Sequence, residues 1–140
     1  MGSTIDLVSP DGHRFPAYFA PAGGLHRDRP RGGIVVGMEM YGVNGYLRGV
    51  CDRWAGDGYD AIAPALFERL EPGLALPYDE TGSVRGKELS ARIDHAGTVL
   101  DADTAADFLR DRTPGLKVAV MGFCFGGTVT WLAACHNPEY

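Results

Sequence analysis

The fold of this chain is decided by the stretch KVAVMGFCFGGTVTWLAAC, which runs from Lys117 to Cys135. Its first part, Val118 to Met121, is a short apolar run of the kind found in strands buried on both faces. Its last part, Thr128 to Cys135, is apolar and rich in alanine, which predicts a buried helix. Between them lies GFCFG, a glycine–x–nucleophile–x–glycine pattern in which cysteine stands where serine is usual.

The spacing of this pattern has a steric reason. A strand that turns at once into a helix forces the residue between them into a strained backbone conformation, and Gly122 and Gly126 leave room for the crossing chain. The turn exposes Cys124 at the carboxyl end of the strand and aims the N–H of Phe125 at the same place, where the helix dipole favours negative charge. This predicts a nucleophilic thiolate. The alternative is a buried structural cysteine in an ordinary strand–helix turn.

Length and composition limit the function classes. A chain of 140 residues forms one domain, residues 1–140, with room for a core. The net charge of −5 argues against binding to nucleic acid or to an anionic membrane. The segment from Val118 to Cys135 has no charged side chain and approaches the length of a membrane span, but its three glycines favour strand, turn and helix.

The cysteines are too few for a disulfide scaffold. The chain has three, and Cys124 and Cys135 would lie roughly 16 Å apart along one helix, too far to form a disulfide. We therefore expect free thiols and a reducing compartment, the cytoplasm.

The remaining sequence alternates between strand and helix patterns. The PDG turn predicts a hairpin, and a helix is expected after Asn44, which can cap it, ending at Gly56 or Gly58. Two further buried strands are predicted, each without alternation. The predicted strands are Thr4–Val8, Arg14–Ala20, Gly33–Met38 and Tyr59–Ala63.

The stretch between the third and last central strands is harder to assign. Leu66 to Gly86 has no clear period and is expected to be a long surface excursion with one helical turn. Lys87 to Arg112 predicts a single helix. Its aspartates are expected to form a solvated face and not a metal site, because nothing else in the segment has ligand spacing. They are Asp101, Asp103, Asp107 and Asp111.

Strands separated by helices predict an α/β fold, with a mostly parallel central sheet and an antiparallel hairpin at the start. In such sheets the site lies outside the carboxyl ends of the strands. Two strand ends qualify, the one that carries Glu39 and the one that carries Cys124.

Three segments together resemble the dienelactone hydrolase family of α/β-hydrolases. They are GFCFGG from Gly122, EMYGVN from Glu39, and GYDAIAPALF from Gly58. The resemblance covers nearly the whole chain. It implies that Cys124 is the nucleophile for a small ester or lactone, that the N–H groups of Phe125 and Met40 form an oxyanion hole, and that Glu39 faces the resting thiol and takes its proton. It implies no cofactor and no metal.

The chain departs from the family pattern in two respects. The family's Asp and His follow the nucleophile on later strands, and no later strand is present here, so the chain is expected to be an amino-terminal fragment with an incomplete triad. His136 would lie about 18 Å away along a helix, and the other histidines are expected to be solvated: His13, His26 and His95. Arg85 and Arg92 lie in the general region of the family's substrate arginine, but neither aligns with it.

Two other functions compete with the hydrolase. One is a catalytically incompetent remnant that acts as a binding module or has no activity. The other is a nucleotide site at Gly122 to Gly127, which is disfavoured because neither G-x-G-x-x-G nor a following Lys-Ser/Thr is present.

Overall fold

The computed structural model describes all 140 residues and contains one five-stranded sheet in the order β1-β2-β4-β3-β5. The strands are β1 (Ser3–Val8), β2 (Arg14–Ala20), β3 (Gly33–Gly37), β4 (Asp60–Pro64) and β5 (Val118–Gly122). The helices are α1 (Gly45–Gly56), α2 (Glu80–Arg92), α3 (His95–Arg112) and α4 (Phe125–His136). The predicted α/β class is confirmed.

The hairpin and the parallel centre of the sheet are both present. β1 and β2 pair antiparallel, and β2 also pairs antiparallel with β4. β3 lies between β4 and β5 and is parallel to both. Every residue of β3 and β4 is buried, including the charged Asp60, as their largely apolar sequences predicted.

The chain reverses its direction of travel across the sheet at β3. It passes from β3 through α1 to β4, then back over β3 through α2 and α3 to β5. Because such crossovers are right-handed, the reversal places α1 on one face and α3 on the other. The carboxyl ends of β3 and β5 therefore form the switch point at which α/β sheets bind ligands.

The prediction for Leu66 to Gly86 was wrong in two places. Leu66 and Phe67 are buried in a 3-10 turn, Leu66–Arg69, under the core. Further on, Asp79 caps α2 by accepting from Gly82 N–H at 2.8 Å. The sequence did not indicate this helix, because Gly82 and Gly86 lower its helix propensity. Both glycines lie where neighbouring backbone leaves no space for a side chain.

The single helix predicted from Lys87 to Arg112 was also wrong, because the chain breaks at Ile93 and Asp94. Ile93 is extended, and the Asp94 carboxylate accepts from the N–H groups of Ala96 and Gly97 to start α3. Asp94 lies in the middle of the helical pattern, and an aspartate that caps the backbone in this way marks the beginning of a new helix.

The solvated face predicted on this helix was wrong for Asp101. This carboxylate is 0% exposed and forms a bidentate pair with Arg69 at 2.7 and 2.8 Å. It also accepts from Ser9 Oγ at 2.5 Å. Asp103 is half-buried and accepts from Tyr140 Oη at 2.6 Å, whereas the other two aspartates of the predicted face are exposed.

His13 is not a solvated turn residue. Its ring stacks on Phe15 with the centroids 5.8 Å apart. Its Nε2 atom is buried without a hydrogen-bond partner, 3.9 Å from the Asp101 carboxylate. His26 is half-buried beside Gly58.

All three cysteines are free thiols, with Cys51 buried and Cys124 and Cys135 exposed. Burial raises the pKa of Cys51 to about 12, so this thiol is inert. None of the helices combines the length and the apolar character that crossing a bilayer demands.

Candidate active site

The strand–turn–helix around Cys124 has the geometry of a nucleophile elbow. Cys124 lies between the last residue of β5 and the first of α4, with φ 53° and ψ −123°. It is the one residue other than glycine in the chain with a positive φ. Such a conformation is costly for a residue with a Cβ atom, so the surrounding structure must hold it in place.

The two motif glycines have the role that the spacing predicted. A Cβ atom on Gly122 would meet the backbone of Gly126 and Gly127, the latter at 2.8 Å. A Cβ atom on Gly126 would meet the carbonyl groups of Gly37 and Met38, the latter at 2.5 Å. The first turn of α4 therefore packs directly on the ends of β5 and β3, which only glycine at these positions permits.

The same packing brings Cys124 beside the end of β3. Gly37 and Gly122 are register partners in the parallel pair β3–β5. Glu39 and Cys124 each lie two residues beyond that pair, so they leave neighbouring strands at the same level. Cys124 is exposed and Glu39 is half-buried.

Two backbone N–H groups at the switch point have no acceptor. Phe125 is the first residue of α4, and its N–H has no partner within the helix. The N–H of Met40, in the loop after β3, donates to no backbone or side-chain atom. Free N–H groups at the switch point suit a developing negative charge.

Side chains behind the elbow keep it in place. Phe125 is buried, with its ring 5.0 Å from Phe67 and 6.2 Å from His95. His95, expected to be solvated on a surface helix, is exposed at the start of α3 but stacks on this phenylalanine. His136 ends α4, the helix that Cys124 begins, and so lies at the far end from the thiol.

Glu39 has a partner that sequence reasoning missed. Its Oε2 accepts a hydrogen bond from Tyr78 Oη at 2.7 Å, and it accepts none from the Cys124 thiol. No motif in the sequence indicates Tyr78, since it lies in the irregular segment before α2.

The two candidate substrate arginines are engaged with carboxylates. Arg85 is paired with Glu71 and with Glu88, the latter at 2.7 Å. Arg92 also contacts Glu88, at 3.5 Å. The pKa of Glu88 is lowered, first by the hydrogen bond from Arg85. Neither guanidinium is hydrogen-bonded to the residues around Cys124.

Comparison with known proteins agrees with this geometry. A sequence model of the dienelactone hydrolase family matches residues 19–140. The chain belongs to the dienelactone hydrolase family.

Individual relatives support the same assignment. A carboxymethylenebutenolidase of Pseudomonas putida is 33% identical over 135 residues, which cover 95% of this chain and 56% of the relative. A Klebsiella pneumoniae structure, provisionally described as a dienelactone hydrolase, matches with a TM-score of 0.80 at 32% identity. The match covers 99% of this chain and 56% of the Klebsiella chain. A dienelactone hydrolase-like promiscuous phosphotriesterase from metagenomic libraries matches with a TM-score of 0.63 at 26% identity. That match covers 95% of this chain and 54% of the phosphotriesterase.

The chain spans about half the length of the curated relatives that it matches, from 42% to 56%. The matched half contains both strand ends of the switch point.

Proposed function

We propose that this chain carries the nucleophile and oxyanion hole of a cysteine-dependent ester or lactone hydrolase of the dienelactone hydrolase type. The observation that carries the proposal is the backbone of Cys124, the one strained non-glycine residue, held exposed at the switch point. Strained residues of this kind cluster at active sites. The substrate class is a small carboxylic ester or lactone, the chemistry named for the relatives.

The proposed reaction begins with transfer of the Cys124 thiol proton to Glu39. The thiolate sulfur attacks the carbonyl carbon, and the π electrons of the carbonyl bond move to its oxygen. The N–H groups of Phe125 and Met40 donate to that oxyanion, and losing one such donor typically costs about 3 kcal/mol of barrier. Collapse re-forms the carbonyl and breaks the carbon–oxygen bond to the leaving alkoxide, which takes up the proton held by Glu39, and an acyl thioester remains.

Hydrolysis of the thioester requires a base that activates water. None of the four histidines is hydrogen-bonded to the proposed site residues. We propose that the family's triad Asp and His lie outside residues 1–140. The chain alone should then acylate once and turn over very slowly.

Acylation with p-nitrophenyl acetate tests this function directly. We expect a burst of about one equivalent of nitrophenol per chain, with mass spectrometry locating the acetyl group on Cys124. The Cys124→Ala variant should lose the burst. The matched Cys135→Ser variant, which removes the other exposed thiol, should keep it. Nitrophenol release that is equal in Cys124→Ala and wild type, or the lack of any burst, would favour the non-catalytic binding module instead.

A further inference from the structure

A hydrogen bond at the end of β3 has no part in the reaction as described above. Tyr78 Oη donates to Glu39 Oε2 at 2.7 Å. Partial burial is the main cause that raises the pKa of Tyr78; Asn44 lowers it, and the hydrogen bond to the Glu39 carboxylate raises it again, so the net direction is upward. The phenol therefore stays protonated at neutral pH and remains a donor to this carboxylate.

The structure presents Tyr78 to Glu39 from a braced loop. Leu76 N–H donates to the carbonyl of Tyr41 at 2.9 Å, so the loop before α2 is tied to the loop after β3. The ring of Tyr78 packs on that of Tyr41 with centroids 4.3 Å apart, and Tyr46 approaches edge-on at 6.3 Å. Asp79, the next residue, is fixed as the cap of α2. The phenol is thus held in place by its neighbours on both sides.

Glu39 is hydrogen-bonded to Tyr78, while the register of the sheet places it level with Cys124. Its position matches that of Cys124 on the neighbouring strand, since both lie two residues beyond the register pair Gly37 and Gly122. The carboxylate nevertheless accepts from Tyr78 and not from the thiol. We propose that Tyr78 is a positioning residue whose hydroxyl competes with the Cys124 thiol for the Glu39 carboxylate. It thereby limits how readily the thiol proton passes to Glu39.

This inference rests on the proposed function, because Glu39 matters only where Cys124 is a nucleophile. A hydrogen bond to an ionised carboxylate stabilises that form. Removing the phenol hydroxyl takes that stabilisation away and makes Glu39 the stronger acceptor for the proton that leaves Sγ when the sulfur attacks an electrophile. The result is a faster reaction of the sulfur with electrophiles, because Glu39 takes up the thiol proton more readily as the new bond to sulfur forms.

The experiment measures alkylation of Cys124 by iodoacetamide at pH 7, in chains that carry Cys135→Ser so that one exposed thiol remains. Tyr78→Phe keeps the ring, and at 55% exposure its folding is not at risk. We expect it to raise the rate about 3- to 10-fold, the range for one partly exposed hydrogen bond to a charged group. Tyr46→Phe is the matched control, because it loses a hydroxyl in the same tyrosine cluster without touching Glu39, and its rate should be unchanged.

A double-mutant cycle separates positioning from packing. In the Glu39→Gln background, Tyr78→Phe should change the rate by less than about 2-fold, because the carboxylate through which it acts is gone. An unchanged or lower rate for Tyr78→Phe alone, or the same increase in both backgrounds, overturns the proposal. If the nitrophenyl acetate burst survives such a result, the positioning role fails and the hydrolase chemistry stands. If the burst is missing while the cycle shows coupling between Tyr78 and Glu39, the hydrolase chemistry fails and the positioning role stands.

Discussion

At the scale of single residues, the chemistry and the local stability of Cys124 oppose each other. Its φ of 53° with ψ of −123° is a conformation that glycine adopts freely and other residues do not. Conformations of this kind cost of order 1–3 kcal/mol each. The turn that imposes this cost also leaves the Cys124 thiol exposed at the carboxyl end of β5.

Replacing Cys124 should therefore separate stability from reactivity. We expect Cys124→Gly to raise the free energy of unfolding by about 1 kcal/mol relative to Cys124→Ala, which keeps the strained Cβ. Both variants should lose the nitrophenol burst. Urea denaturation of the two variants measures the difference, and equal midpoints would show that the turn is not strained.

A second residue-scale prediction concerns glycines that differ in their surroundings. A Cβ atom on Gly126 would meet the Met38 carbonyl at 2.5 Å, whereas one on Gly49 in α1 would meet nothing within 4 Å. We expect Gly126→Ala to cost about 2 kcal/mol or more, because backbone must move. Gly49→Ala should instead stabilise by about 0.5–1 kcal/mol, because alanine is the better helix former. Thermal unfolding compares the pair, and a Gly126→Ala variant as stable as wild type would contradict the proposed packing of α4.

At the scale of secondary-structure elements, α2 supports the loop that carries the proposed oxyanion donor. Gly86 packs against the backbone of Met40, where an added Cβ would lie 3.0 Å from the Met40 side chain and closer still to its carbonyl oxygen. Helix and loop therefore touch with no intervening side chain. We therefore expect the position of the Met40 N–H to depend on this contact.

Gly86→Ala tests that dependence. We expect it to slow the nitrophenyl acetate burst by about 10-fold or more, because small displacements of a catalytic group are costly. The exposed neighbour Lys87→Ala is the matched control in the same helix turn and should leave the burst rate unchanged. A normal burst in Gly86→Ala would mean that the Met40 N–H makes no contribution.

Elements were predictable where one physical signal dominated. β3 and β4 are short, largely apolar and bounded by glycine or proline, and the elbow has fixed glycine positions, so their sequences sufficed to predict them. α2 was missed because Gly82 and Gly86 serve tertiary contacts at the expense of helix propensity. Tyr78 and Asp101 were missed for a related reason, since their partners lie 39 and 32 residues away and no local pattern connects them.

At the scale of the whole molecule, one buried ion pair joins three parts of the chain. Arg69, in the segment that follows β4, donates to Asp101 of α3 at 2.7 Å and to Asp11 of the hairpin turn at 2.8 Å. The hydrogen bond from Arg69 lowers the pKa of Asp11, and Asp101 is the first cause of the raised pKa of Arg69. The cluster fixes the hairpin against the helical layer.

Arg69→Met should lower the stability of the chain, because it removes one partner of this buried ion pair. It leaves the fully buried Asp101 charge without its cation, and we expect a loss of about 3–5 kcal/mol in the free energy of unfolding. Adding Asp101→Asn should restore part of the loss, because the orphaned charge is then removed. Denaturant unfolding measures both variants, and an Arg69→Met chain of wild-type stability would contradict the buried pair.

The two edges of the sheet differ in how they discourage pairing with other chains. β1 carries the exposed charge of Asp6, but β5 pairs on one side only and its sequence, VAVMG, has neither a charge nor a proline. Uncharged edges recruit other strands. We expect the chain to self-associate as its concentration rises, through β5. Ala119→Lys should suppress this in sedimentation velocity. Val8→Lys, which adds the same charge to the β1 edge, should not suppress self-association. Equal suppression by both variants would show that net charge, and not the β5 edge, controls the association.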